Sequence, residues 1–133
     1  MTEAHPNILV VVTEDGPRRS IVSELRTARY NVLEATNTLQ AVAMTEELTS
    51  EDLILCEIIS NKEYTDVIRS YLKMRREIPV VFLVGNADKE TLEPFLERSP
   101  HFVEKPVDVS ELTSTIERAL AQARHSQIST DQK

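Results

Sequence analysis

Five side chains in this sequence could act together as one charged site: the carboxylates of Glu14, Asp15, Glu57 and Asp88 and the ammonium of Lys105. No nucleophile paired with a base accompanies them, so covalent catalysis has no machinery here. Carboxylates gathered in one place repel one another and resist ionisation unless a cation lies between them. Such a set can therefore bind a cation, or supply the electrostatics of an acyl phosphate.

These residues are far apart in sequence, and the elements between them must bring them together. Asn7 to Val12 and Ile78 to Val84 are nearly continuous apolar runs, as expected of strands buried on both faces of a parallel sheet. Asp52 to Glu57 places a charge after four apolar residues, at the carboxyl end of a third strand. Tyr30 to Glu34 and His101 to Glu104 read as two shorter strands. Helical faces alternate with them. The first is Ile21, Val22, Leu25 and Ala28; the second Leu39, Val42 and Ala43; the third Val67, Ile68, Tyr71 and Leu72. The fourth carries Leu92, Phe95 and Leu96. Pro94 fits only a first turn, so this helix is predicted to start near Thr91. The fifth starts at Asp108 as N-cap, with Glu111 in a capping-box position. It turns Val109, Leu112, Ile116, Ala119, Leu120 and Ala123 inward and is predicted to end near Arg124.

Residues 1–124 thus form one domain, and residues 125–133 a polar tail or the start of a linker. Five strands alternating with five helices predict an α/β fold, a three-layer, doubly wound (βα)5 arrangement around a five-stranded parallel sheet. In such a sheet the working crevice lies beyond the carboxyl ends of the strands. There Thr13 to Pro17, Glu57 to Lys62, Gly85 to Asp88 and the Lys105-Pro106 pair converge.

Composition excludes other classes. With 133 residues, 41% apolar and 28% charged, the chain suits a single core. Its two glycines, Gly16 and Gly85, cannot build a dinucleotide fingerprint or a phosphate loop. One cysteine, Cys56, and three scattered histidines exclude an internal disulfide and structural zinc. A net charge of −7 repels nucleic acid. No apolar run is long enough to span a membrane and Met1 to Asn7 is no signal peptide, so the expected compartment is the cytoplasm.

From about residue 7 to 124 the chain resembles the receiver domains of two-component response regulators, the CheY-like, flavodoxin-like branch of α/β folds. Three segments carry the resemblance: Asp52-Leu-Ile-Leu-Cys-Glu57-Ile-Ile, Ile78-Pro-Val-Val-Phe-Leu-Val84, and Phe102-Val-Glu-Lys105-Pro106. The resemblance implies that Glu57 stands at the phosphoacceptor position, where the family has Asp. It implies that Lys105 and Pro106 are the family's Lys-Pro clamp. It also implies that Val84 replaces the hydroxyl residue that grips the phosphoryl group, and that Phe102 fills the place of the mobile aromatic. Where the family has an acidic pair for Mg²⁺, ungapped alignment through Arg18 and Arg19 places Val12 and Thr13, while the usual Pro of the acceptor loop is replaced near Asn61.

These departures imply a degenerate receiver: no enzyme, no cofactor, and a docking module for a protein partner such as a histidine kinase or another signalling protein. The family's usual face, the fourth helix with the fifth strand and fifth helix, is the expected surface for that partner or for a homodimer. In this chain it contains Pro94, Pro100, His101 and Phe102. Glu57 is one methylene longer than Asp and reaches about 1.5 Å further, toward Lys105, so a permanent ion pair is expected. Two alternatives stand beside this reading. A two-residue slip would set Glu14 and Asp15, with Glu57, around Mg²⁺ in a working receiver, at the expense of the first helix's register. A flavodoxin-like ligand-binding protein is the other, although its phosphate would meet Glu14 and Asp15. Those two acids read equally well as a turn and the favoured first-turn charges of a helix. Glu57 and Lys105 read alternatively as solvated strand-end charges, and Cys56 as a buried apolar group on the opposite face of its strand.

Overall fold

The longest apolar runs become the centre of the sheet, because a strand covered by helices on both faces has no position that water requires to be polar. The computed structural model describes residues 5–47, 52–59, 62–75, 77–85, 89–96 and 101–131. Its elements are β1 (Asn7–Val11), α1 (Asp15–Thr27), β2 (Asn31–Ala35), α2 (Thr38–Glu47), β3 (Leu53–Ile58), α3 (Lys62–Met74), β4 (Val80–Val84), α4 (Lys89–Leu96), β5 (Phe102–Glu104) and α5 (Val109–Asp131). The strands form one parallel sheet in the order β2-β1-β3-β4-β5. The order reverses between β1 and β3, so the crevice opens at their carboxyl ends.

Strand alternation divides the core in two. Ile8, Val10, Val12, Leu53, Leu55, Val81, Leu83 and Val103 pack against Ile21, Val22 and Leu25 of α1 and Leu112, Ile116, Ala119 and Leu120 of α5. Leu9, Val11, Ile54, Cys56, Ile58, Val80, Phe82 and Val84 pack against Ala41 of α2, Ile68, Tyr71 and Leu72 of α3 and Phe95 of α4. This is the expected three-layer α/β architecture. None of the described helices is long and apolar enough to cross a membrane.

Several local expectations are corrected. The inner face of α2 is Thr38, Ala41 and half-buried Val42, while Leu39 is 76% exposed and Ala43 faces outward. Those inward positions follow the i, i+3, i+4 rule from Thr38. Val67 and Val109 lie on exposed flanks of α3 and α5. Helix α4 begins at Lys89, ahead of Thr91, so Pro94 sits inside it. The ring forfeits one i to i−4 hydrogen bond. The helix ends two residues later, and buried Phe95 anchors it edge-to-face on Phe82 with ring centroids 5.4 Å apart.

Helix α5 does not stop near Arg124 but continues to Asp131, because the segment beyond Arg124 contains neither glycine nor proline to end it. Asp108 caps its N-terminus as expected: the Ser110 N–H donates to Asp108 Oδ1 at 2.8 Å. Helix α1 closes in a Schellman arrangement, with Arg29 N–H donating to Arg26 and Tyr30 N–H to Leu25. Arg29 takes the left-handed position at φ 73°, where glycine is the usual occupant.

Candidate functional site

Glu57 is the second-to-last residue of β3, in register with Leu83 of β4. Alternation points its side chain to the α1/α5 face, where Leu53 and Leu55 precede it, and the carboxylate is buried. Burying a carboxylate costs several kcal/mol unless it is paired and hydrogen-bonded. Here both oxygens are engaged: Oε1 accepts from the Thr13 backbone N–H at 3.2 Å, and Oε2 is ion-paired to the Lys105 ammonium.

Lys105 directly follows β5. Its backbone N–H donates to the Val84 carbonyl at 2.9 Å, which fixes where the side chain begins. The aliphatic stem then passes Gly85, where an added Cβ would lie 3.7 Å from Lys105 Cδ. The Lys105-Pro106 peptide is cis, and Pro106 is exposed.

Helix α3 holds the other side of this corner. The Tyr64 hydroxyl donates to the Glu57 carbonyl at 2.7 Å, and the Thr65 hydroxyl to the Ile59 carbonyl at 3.3 Å. Burial pushes the Tyr64 phenol far above its usual range, so it remains a donor. Cys56 lies on the opposite face, and burial raises its thiol to about 12. It is inert as a nucleophile near neutral pH.

The acidic pair after β1 does not join Glu57. The register Val11↔Cys56 on one side and Val11↔Ala35 on the other fixes β1 without a slip. Glu14 is thus the exposed N-cap of α1, and Asp15 lies in its first turn. Asp15 Oδ1 accepts from Arg18 Nη2 at 2.6 Å, and this guanidinium holds the Asp15 carboxyl below the usual carboxylate range. The positions to which the resemblance assigns metal ligands hold buried Val12 and exposed Thr13, whose N–H is already given to Glu57. Among the described residues, no three or more His, Cys, Asp or Glu side chains are grouped to hold a metal ion. Among the described residues this donor set does not fit Mg²⁺. Asp88, Asn61 and Pro100 lie outside the described residues.

The two switch positions differ. Val84 is buried, paired with Ile58 and Glu104, and packed in the α2/α3/α4 core with no hydroxyl to offer. Phe102 lies on β5 and is 40% exposed. Near it His101 Nε2 and Gln122 Oε1 of α5 are 2.6 Å apart, linking the first residues of this edge to the last helix.

Sequence reasoning missed Arg18. It is buried, and its guanidinium donates to four acceptors: Glu34 Oε1 at 3.2 Å, the Val12 carbonyl at 3.2 Å, the Thr13 carbonyl at 3.3 Å and Asp15 Oδ1. Those carboxylates raise its pKa further. The available signal was the i, i+3 spacing from Asp15 together with a carboxylate near the end of the neighbouring strand.

No family model matches the chain, and no curated protein matches it. Solved structures do. A response regulator receiver domain from Clostridium thermocellum superposes with a TM-score of 0.79 at 22% identity, over 90% of this chain and 97% of that one. A CheY-like receiver domain protein from Methanospirillum hungatei gives 0.81 at 22% identity, over 92% and 99%. NtrX from Brucella abortus gives 0.86 at 23% identity; the match covers 98% of this chain but only 30% of NtrX. At these identities the likeness is one of fold: the chain has the CheY-like architecture of response-regulator receiver domains.

Proposed function

We propose that this chain is a degenerate receiver of two-component signalling, which docks a protein partner without accepting a phosphoryl group. The observation that carries the reading is the buried Glu57 carboxylate, with one oxygen on the Thr13 N–H and the other on Lys105. In-line phosphoryl transfer needs a divalent cation, an open acceptor oxygen and a cationic clamp. Here the clamp is already engaged with Glu57, and both oxygens at the acceptor position already accept hydrogen bonds. The extra methylene of Glu puts negative charge where an acyl phosphate would put it, so Lys105 is held as it would be in a phosphorylated site.

Shifting a two-state domain from about 1:99 to 99:1 takes about 5.5 kcal/mol of differential binding. Val84 and the Val12-Thr13 corner offer no ligand interaction to supply it. The module therefore has one conformation, and its partner is a signalling protein that reads that conformation on the face built from α4, β5 and α5, where Phe102 is exposed. That face would equally serve a homodimer. The proposed compartment is the cytoplasm, and no enzymatic activity is proposed.

Incubation with an acyl-phosphate donor and Mg²⁺, followed by intact mass measurement, tests the first half. The expected result is no phosphoryl mass gain. A Mg²⁺-dependent gain located on Glu57 would overturn the reading. For the second half, capture of signalling partners by the wild type should be indifferent to the donor and weakened by Glu57→Ala and Lys105→Ala. Unchanged capture by both variants would leave the pair without a signalling role.

A further inference from the structure

The Val12-Thr13 peptide unit is hydrogen-bonded at both ends by charged groups. Its carbonyl, on Val12, accepts from Arg18 Nη1 at 3.2 Å, and its N–H, on Thr13, donates to Glu57 Oε1 at 3.2 Å. A peptide polarised by a cation at its oxygen becomes a stronger donor at its nitrogen, and hydrogen bonds in such chains reinforce one another. Arg18 also takes the next carbonyl, on Thr13, at 3.3 Å, so the turn leaving β1 is gripped at two consecutive carbonyls. The guanidinium is itself oriented by Glu34 on β2 and Asp15 on α1. A guanidinium is permanently charged and planar, with donors in a fixed fork, which suits it to hold several acceptors at set angles.

We infer that Arg18 is the positioning residue of the Glu57–Lys105 pair, acting through the Val12-Thr13 peptide, so that a continuous polar chain runs from Glu34 on edge strand β2 through Arg18, that peptide and Glu57 to Lys105 beside β5. This deepens the docking reading by naming what presets the rim. Among the described residues Glu57 has one neutral partner besides Lys105, the Thr13 N–H, and Arg18 fixes the aim of that N–H.

Amide hydrogen exchange on the ¹⁵N-labelled full chain tests this. The readout is the rate at Thr13 divided by the rate at Val10, a buried β1 residue, so that a general loss of stability cancels. In Arg18→Gln the ratio should rise about fivefold, the worth of roughly one net hydrogen bond, and the Thr13 amide resonance should shift. Arg18→Lys should restore part of the protection. Arg19→Gln, which removes the same charge from an exposed neighbour, should leave the ratio within about twofold of wild type. If Arg18→Gln does not fold, Arg18→Lys, whose ammonium lacks the fixed fork that holds both carbonyls, should raise the ratio in the same direction. A Thr13-to-Val10 ratio within about twofold of wild type in the folded variant overturns the inference. The measurement uses neither phosphoryl donor nor partner, so its failure leaves the docking reading standing. A phosphoryl mass gain would overturn that reading without touching this one.

Discussion

On the β3–β5 half of the rim the buried partner is the anion: the Glu57 side chain is 5% exposed and that of Lys105 37%. On the β1–β2 half the buried partner is the cation: the Arg18 side chain is 8% exposed, while its carboxylates on Asp15 and Glu34 are 69% and 35% exposed. The two clusters lie on one rim and have opposite polarity. Among the described residues the buried carboxylate has two donors, one per oxygen, so removing Lys105 leaves its charge uncompensated and removing the Thr13 N–H leaves an oxygen unsatisfied. A guanidinium shared among four acceptors, two of them backbone carbonyls, can lose one carboxylate and keep the rest. The first cluster is therefore fragile to single changes and the second is redundant. Function placed on the first inherits that sensitivity.

Lys105→Met should show the largest effect. Breaking a buried pair by removing one partner costs about 3–5 kcal/mol, and water reaching the lysine side of this half-open corner lowers that to about 2 kcal/mol. Urea unfolding measures it as a fall in midpoint at unchanged slope. The double variant Glu57→Met with Lys105→Met should recover most of the loss, because matched apolar residues replace a buried ion pair at little cost. Equal losses in the single and double variants would mean that Glu57 has no electrostatic need of Lys105, and the contrast between the clusters would fail.

Tyr64→Phe comes next. It removes the 2.7 Å bond to the Glu57 carbonyl and leaves the carboxylate's own partners in place, so the expected loss is about 1 kcal/mol, the net worth of one neutral hydrogen bond. Comparison with Lys105→Met in the same urea series separates the backbone anchor of this corner from its charge. A Tyr64→Phe loss as large as that of Lys105→Met would mean that α3, and not the ion pair, holds Glu57 in place.

How much of this was legible depended on whether a residue's environment is set locally or by strand order. The apolar runs at Ile8 to Val11 and Val80 to Val84 can only be central strands, so the fold and the carboxyl rim followed from periodicity. Glu57 and Lys105 were legible because each ends or follows a strand, and strand ends meet at that rim. Arg18 was not, since in sequence it serves only, with Arg19, to anchor an alignment, and nothing local marks it as buried. Only the β2-β1 adjacency, with Glu34 in register with Val10, makes its side of α1 a buried one. Helix α2 shows the same limit: Ala41 is buried and Leu39 exposed, because the helix's rotation is set by Thr38 and its neighbours. Arg29 shows it again at the end of α1, where a left-handed residue is required and no glycine marks it.

The smallest effect, and the sharpest statement of redundancy, belongs to Asp15. The Arg18 guanidinium, hydrogen-bonded to its carboxyl, holds it below the usual carboxylate range, so between the folded and unfolded values the unfolded chain binds more protons and stability rises with pH. The contribution is fully present above the unfolded value and is lost as pH falls through the lower, folded value. Asp15→Asn removes the charge at every pH and leaves Arg18 its bonds to Glu34, Val12 and Thr13. Urea midpoints of wild type and Asp15→Asn should therefore differ slightly and by a constant amount from about pH 7 to 5, then converge as the acid range is entered. Comparing the two proteins at each pH cancels the titration of every other carboxylate. A difference that persists unchanged into acid would mean that Arg18 does not hold Asp15 through its charge, and the count of acceptors on that half of the rim would fall by one.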